Sequence, residues 1–268
     1  MGFKKNDDFF IFSMYVTHQY RYALNEECRL FLQNVTESVS SRIAKLEAGT
    51  EFWRSQIGSQ LVPDEKDELV YYAHPYAEER MTPSPEFVTD GRVNPKGITA
   101  LYLSSTKETA MSEVRPWMKA EISCAKFRTT RDLKIVDCSV HADKDMFGWD
   151  AASPEDIQEA VWASIDRGFS RPVDLAAGST EYIPTQILSE LFKSRGLDGV
   201  GYRSALHEGY NLALFNVDVA EMVDCQLFDT KRIDYEFSEA PTVVRAQKAK
   251  SPDETTEAAA PTRNPQST

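Results

Sequence analysis

Arg92, Tyr102 and Glu113 lie in one short stretch, Gly91 to Pro116 (GRVNPKGITALYLSSTKETAMSEVRP). An arginine offers phosphate oxygens a planar fork of N–H donors. A tyrosine ring stacks on a flat heterocycle while its hydroxyl stays free to hydrogen-bond. A glutamate stabilises the positive charge that builds on a sugar as its leaving group departs. Together these residues suit a pyrophosphate-bearing substrate with a glycosidic bond to break, and they point to an enzyme acting on NAD. Taken singly, each has a bland reading. A glutamate late in a surface helix, and an arginine after a glycine, are usually solvated.

The elements that must position them follow from local rules. Gly91 and Gly97 bracket Asn94-Pro95-Lys96, a turn-rich run. Ala100 to Leu103 reads as a short, mostly buried strand. Thr106 is placed to cap a helix running from Lys107 to about Arg115, with Glu108 near its positive end and Pro116 as its stop. Ala110 and Val114 share one face of that helix, and Glu113 adjoins it, so its carboxylate is expected in a cleft.

Six stretches resemble the RES-domain proteins, a family named for Arg, Glu and Ser motifs. They are GTEFWRSQIG (Gly49 to Gly58), GRVNPKGITALYL (Gly91 to Leu103), KETAMSEVRPW (Lys107 to Trp117), RDLKIVD (Arg131 to Asp137), YIPTQILSELFKSRGLDGVGYRS (Tyr182 to Ser204) and NLALF (Asn211 to Phe215). They stand in family order from about Gly49 to Val223. The resemblance implies an α+β fold like that of ADP-ribosyltransferase toxins, a mixed β core with flanking helices. It implies NAD as substrate. The activity would be that of an NAD phosphorylase or NAD glycohydrolase, in a toxin held by a cognate antitoxin. A protein mono-ADP-ribosyltransferase, or a module that binds NAD or ADP-ribose without turnover, are the alternatives. Carried over position by position, Arg54 and Arg92 match the NAD-contacting arginines. Tyr102 matches the pocket tyrosine, Glu113 the glutamate and Ser204 the serine. The implied catalytic set is Arg92, Tyr102 and Glu113; Arg54 and Ser204 join Arg92 and Tyr102 in binding. The residues before Gly49 look like the N-terminal extension of longer members. The organisation expected is a helical extension over 1–48, the RES domain over 49–239, and a tail over 240–268.

The chain has 268 residues, 41% of them hydrophobic, ample for one substantial core. A net charge of −12 argues against direct nucleic-acid binding, which rests on neutralising phosphates. Cys28, Cys124, Cys138 and Cys225 form no CxxC, and His18, His74, His141 and His207 have no ligand spacing, so no metal site is expected. The N-terminus, MGFKKNDDFFIFSMYV, lacks a cleavage site, and no apolar run reaches membrane-spanning length. The expected compartment is the cytoplasm, with reduced thiols.

Elsewhere, Asn25 is placed to cap an amphipathic helix to about Leu46, with Cys28, Leu32, Val35, Val39, Ile43 and Leu46 as its stripe. Glu51 to Ile57 reads as a strand carrying Trp53 and Arg54. A polar loop over Val62 to Glu68 leads to Tyr71-Tyr72 and then to a turn-rich segment, where Arg80 is a surface residue or a further phosphate contact. Strands are expected at Glu121 to Phe127, Leu133 to Val136, Gly199 to Tyr202 and Leu212 to Phe215. Helices are expected after Ser153-Pro154 and from Pro184 to Gly196. Gly199-Val-Gly201 loosely mimics a dinucleotide fingerprint, but it follows a helix and lacks the third glycine. Ser204 with His207 lacks a nucleophile elbow, so a substrate contact is the better reading of the serine. From about Ala240 the large apolar residues cease, and disorder is expected.

Overall fold

A computed structural model describes residues 2–67, 69–140, 153–172, 178–234, 236, 237 and 239. Glu68, His141 and the tail from Ala240 lie outside the described residues. Met1–Ile233 form one compact unit.

The chain opens with two helices, α1 (Asp8–His18) and α2 (Glu26–Ser38), then strands β1 (Ile43–Leu46) and β2 (Glu51–Ile57). A hairpin of β3 (Gln60–Pro63) and β4 (Tyr71–His74) follows, then a one-turn helix α3 (Glu78–Met81). Next come β5 (Leu101–Ser104), α4 (Lys107–Glu113), β6 (Glu121–Thr129) and β7 (Leu133–Asp137). Helices α5 (Pro154–Ser170) and α6 (Ile183–Ser194) lead to β8 (Gly199–Arg203), β9 (Tyr210–Leu214) and β10 (Ala220–Asp229).

Eight strands make one sheet in the order β1-β7-β8-β9-β5-β2-β6-β10. The pairs are antiparallel except β7 with β8, whose parallel pairing needs a crossover, and α5 and α6 lie along that connection. The fold is therefore α+β, with a central mixed sheet flanked by helices and with helices at the N-terminus. One face of the sheet packs Val136, Val200 and Ala213 against Phe12, Phe31, Trp162, Phe169 and Phe192 from α1, α2, α5 and α6. The alternate residues Ile135, Leu212 and Leu214 join Phe52, Leu101 and Phe127 in a second cluster.

The caps behave as their side chains dictate. Asn25 accepts from the Cys28 amide at 2.8 Å, Thr106 from Thr109 at 3.1 Å, and Ser153 from Asp156 at 3.1 Å. α5 buries Val161, Ile165 and Phe169, and α6 buries Leu188 and Phe192.

The helix expected from Asn25 to Leu46 is shorter. It ends at Ser38, a 3₁₀ turn spans Val39–Arg42, and Ile43–Leu46 is the edge strand β1, paired with Val136 to Leu133. Serines drive the change. Ser38 Oγ donates back to Asn34 O at 2.8 Å, Ser41 Oγ donates to Ser38 O at 2.8 Å, and strand pairing takes the chain from there. The helix after Thr106 also stops early, at Glu113, because Arg115 turns left-handed at φ 49°. Val62, expected in a loop, lies in β3. Among the described residues, no helix is long and apolar enough to cross a membrane, and no group of His, Cys, Asp or Glu is placed to hold a metal.

Candidate functional site

β2 and β5 are neighbours in the sheet, yet they are in register at a single pair, Trp53 with Ser104. Where they part, a cleft of about 290 Å³ opens. Arg54 from β2, Tyr102 from β5, Arg92 from the preceding loop and Glu113 from the end of α4 all line it. Trp53, Tyr182, Tyr202 and Asn211 complete much of the wall. A larger hollow of about 480 Å³ adjoins it and shares Arg54, Gly91 and Tyr102; Arg80, Phe87 and Asp90 line its far part.

Glu113 is held by a chain of polar residues. Ser204 Oγ and Asn211 Nδ2 both donate to its Oε1, each at 2.7 Å. Asn211 is oriented in turn by Ser104 Oγ, which donates to its Oδ1 at 2.8 Å. Ser204 sits at a turn where its Oγ also accepts from the amides of Leu206 and His207, at 3.2 and 3.3 Å. Both side-chain donors occupy one carboxylate oxygen, so Oε2 has no donor among the described residues. The His207 contact to Ser204 comes from the backbone, not from the imidazole. The imidazole is therefore not placed to activate the serine, whose hydroxyl donates to Glu113 and helps hold it.

Among the described residues, neither arginine of the cleft is paired with a carboxylate. Arg54 is part-buried and donates to the Tyr102 carbonyl at 3.2 Å, across the gap between β2 and β5. Its Nε is buried and has no partner among the described residues. Burial lowers its pKa from the ordinary arginine range to about 10, and the charge of nearby Arg80 adds to the effect. Among the described residues Arg54 is thus a cation without a counter-ion, a charge that a bound anion would balance. Arg92 donates to the Arg171 carbonyl at 2.7 Å and lies 5.8 Å over the Tyr182 ring.

Tyr102 differs from expectation in one respect: its hydroxyl is not free. It donates to Asn94 Oδ1 at 2.7 Å and accepts from the Val93 amide at 3.0 Å. Burial pushes its pKa well up, so it stays protonated. The ring faces the cleft while the hydroxyl fixes the loop that carries Arg92. Gly91 makes this possible, since a Cβ there would stand 2.4 Å from the Tyr102 oxygen.

All five residues singled out in the sequence thus converge, four on the cleft wall and Ser204 through Glu113. Asn211, Tyr182 and Tyr202 were not singled out. Asn211 carries a signal in hindsight: it is a buried amide heading the apolar run NLAL within β9, and such groups need partners.

Comparison with known proteins gives three results. A family model described as the RES domain matches residues 69–238. No curated protein sequence matches the chain. Among solved structures, a chain of the M. tuberculosis MbcT–MbcA toxin–antitoxin complex is similar at 15% identity with a TM-score of 0.38; the match covers 74% of this chain and 92% of that one.

Proposed function

This chain belongs to the RES-domain family, and from that premise we propose that it consumes NAD by breaking the bond between nicotinamide and ribose. The observation that carries the reading is the Glu113 carboxylate. It is fixed through one oxygen by Ser204 and Asn211, with the other left open, in a cleft flanked by Arg54 and Arg92.

The chemistry asks little of proton transfer. Nicotinamide is cationic in NAD and leaves as a neutral molecule, so no general acid is required. As the C1′–N bond lengthens, its electrons go to nicotinamide and positive charge gathers on the ribose. A fixed carboxylate stabilises that charge without reorganising at the moment of reaction. Water or inorganic phosphate then attacks C1′ and loses its proton to solvent. Arg54 lies between two adjoining hollows, which suits a dinucleotide whose pyrophosphate joins two nucleosides. Arg92 would hold the same phosphates through its fork.

An enzyme that drains NAD is harmful to the cell that makes it. The reading therefore includes a toxin role and a cognate antitoxin that covers the cleft. No metal enters the reaction.

Incubation with NAD tests all of this. Nicotinamide with free ADP-ribose identifies hydrolysis, and ADP-ribose-1″-phosphate identifies phosphorolysis. A labelled protein band identifies transfer to a side chain, the mono-ADP-ribosyltransferase alternative. NAD left intact overturns the enzyme and leaves a binding module.

A further inference from the structure

Gln186 on α6 is 1% exposed, and every polar atom of its amide is used. Nε2 donates to the carbonyls of Gly91 and Asn94, at 2.9 and 3.0 Å. Oε1 accepts from Nη2 of Arg21 at 2.5 Å. Arg21 lies in the turn between α1 and α2, far upstream of the residues matched to the family. Its guanidinium has no carboxylate among the described residues; besides the glutamine it meets only the Tyr22 ring, at 5.8 Å.

The loop at the other end is the one that bears Arg92. It closes on itself through Gly91 N donating to Asn94 O at 2.9 Å, and Tyr102 holds it from the cleft side. The N-terminal helices have a firm seat of their own. A Cβ on Gly168 of α5 would stand 2.8 Å from the Phe9 ring of α1, so these two helices touch closely. Tyr15 donates to the Ala23 carbonyl at 3.0 Å and ties the Arg21 turn back to α1.

We infer that Arg21 and Gln186 are positioning residues for Arg92: the N-terminal segment clamps the 91–94 loop through Gln186 and so sets the phosphate-binding arginine. A neutral amide that must accept from one side and donate to two carbonyls on the other can take one orientation only. The Arg21 charge fixes that orientation and strengthens both outgoing bonds. The segment outside the family match thereby acts on substrate binding without touching substrate. The functional part rests on the NAD reading above; the clamp itself does not.

Two measurements decide it. The first is hydrogen exchange at the Gly91 and Val93 amides in Arg21→Ala, Arg21→Lys and Gln186→Met, with Ala125 in β6 as internal control. Arg21→Ala and Gln186→Met should exchange about tenfold faster at the loop alone, and Arg21→Lys should stay near wild type. Unchanged exchange at Gly91 and Val93 overturns the clamp, whatever the substrate. The second is a double-mutant cycle in NAD turnover. Arg21→Ala should raise KM about five- to tenfold with kcat little changed, and this rise should vanish in an Arg92→Ala background. An equal rise in both backgrounds overturns action through Arg92. Wild-type protein that leaves NAD intact would instead overturn the NAD reading, while the exchange result still decides the clamp.

Discussion

Asn211 lies 98 positions beyond Glu113, yet its Nδ2 reaches Oε1 of that glutamate at 2.7 Å. The bond joins a central strand to the last turn of a helix and gives the carboxylate one bearing on the cleft. Because Ser104 fixes the other end of the amide, its direction is not reversible.

Loss of either donor should loosen the carboxylate without removing it. Asn211→Leu and Ser204→Ala are each expected to lower kcat about tenfold, and Glu113→Ala about 10²-fold or more. Single-turnover kinetics on folded protein checks the order. Near-normal NAD consumption by Glu113→Ala would remove that residue from the chemistry.

Arg54 should cost the free protein stability. Its folded pKa, about 10, lies below the ordinary arginine range, so the unfolded chain holds the proton more tightly. The cost is fully present below pH 10 and fades as pH rises from there towards the ordinary arginine range; it is on the order of 3 kcal/mol. Arg54→Met is therefore expected to raise the Tm of the free protein at pH 7 and to abolish the further rise produced by NAD. A lower Tm for the free variant would show that the charge is already compensated.

Gly91→Ala should damage the site more than its size implies. The new Cβ would meet the Tyr102 oxygen at 2.4 Å and Asn94 Oδ1 at 2.8 Å. Either the tyrosine or the loop must shift, and Arg92 moves with the loop. The expected outcome is NAD affinity weakened at least tenfold, with Tm lowered by only a few degrees. Calorimetry returning wild-type affinity would show that the loop yields without moving Arg92.

A chain beginning at Gly49 loses α1, α2 and β1 together. Phe9, Phe12, Phe31 and Val35 belong to the principal core cluster, and β1 covers the edge of β7. Such a chain should aggregate or melt well below the full-length protein, because it exposes both an apolar face and an unpaired strand. A soluble, fully active Gly49 chain would show that the first 48 residues are dispensable.

The candidate site was largely legible because four of its members carry strong chemistry in short, recognisable runs. Asn211 and Gln186 were not, because their roles exist only after strands and helices distant in sequence have come together. The stripe from Cys28 to Leu46 misled for a physical reason. The step from Ile43 to Leu46 suits a helix, but Ile43 is 42% exposed and the segment satisfies its backbone on β7. β10 went unseen because it is an edge strand in which exposed Glu221, Asp224 and Asp229 interrupt the apolar residues. Charges that protect an edge from unwanted pairing also blur its alternation. The α1 helix read only as an apolar run beside two lysines.

The order of the strands also sets when the cleft can first assemble. Ribosomes make Arg54, Arg92 and Glu113 early, but the donors that orient the glutamate arrive only with Ser204 and Asn211. β5, which carries Tyr102, pairs along its length with β9, and β6 waits for β10. An unfinished chain therefore holds the Glu113 carboxylate without its supports, and pairing across such separations is slow. Translation itself therefore delays assembly of the cleft until β8 and β9 have been made and have joined the sheet.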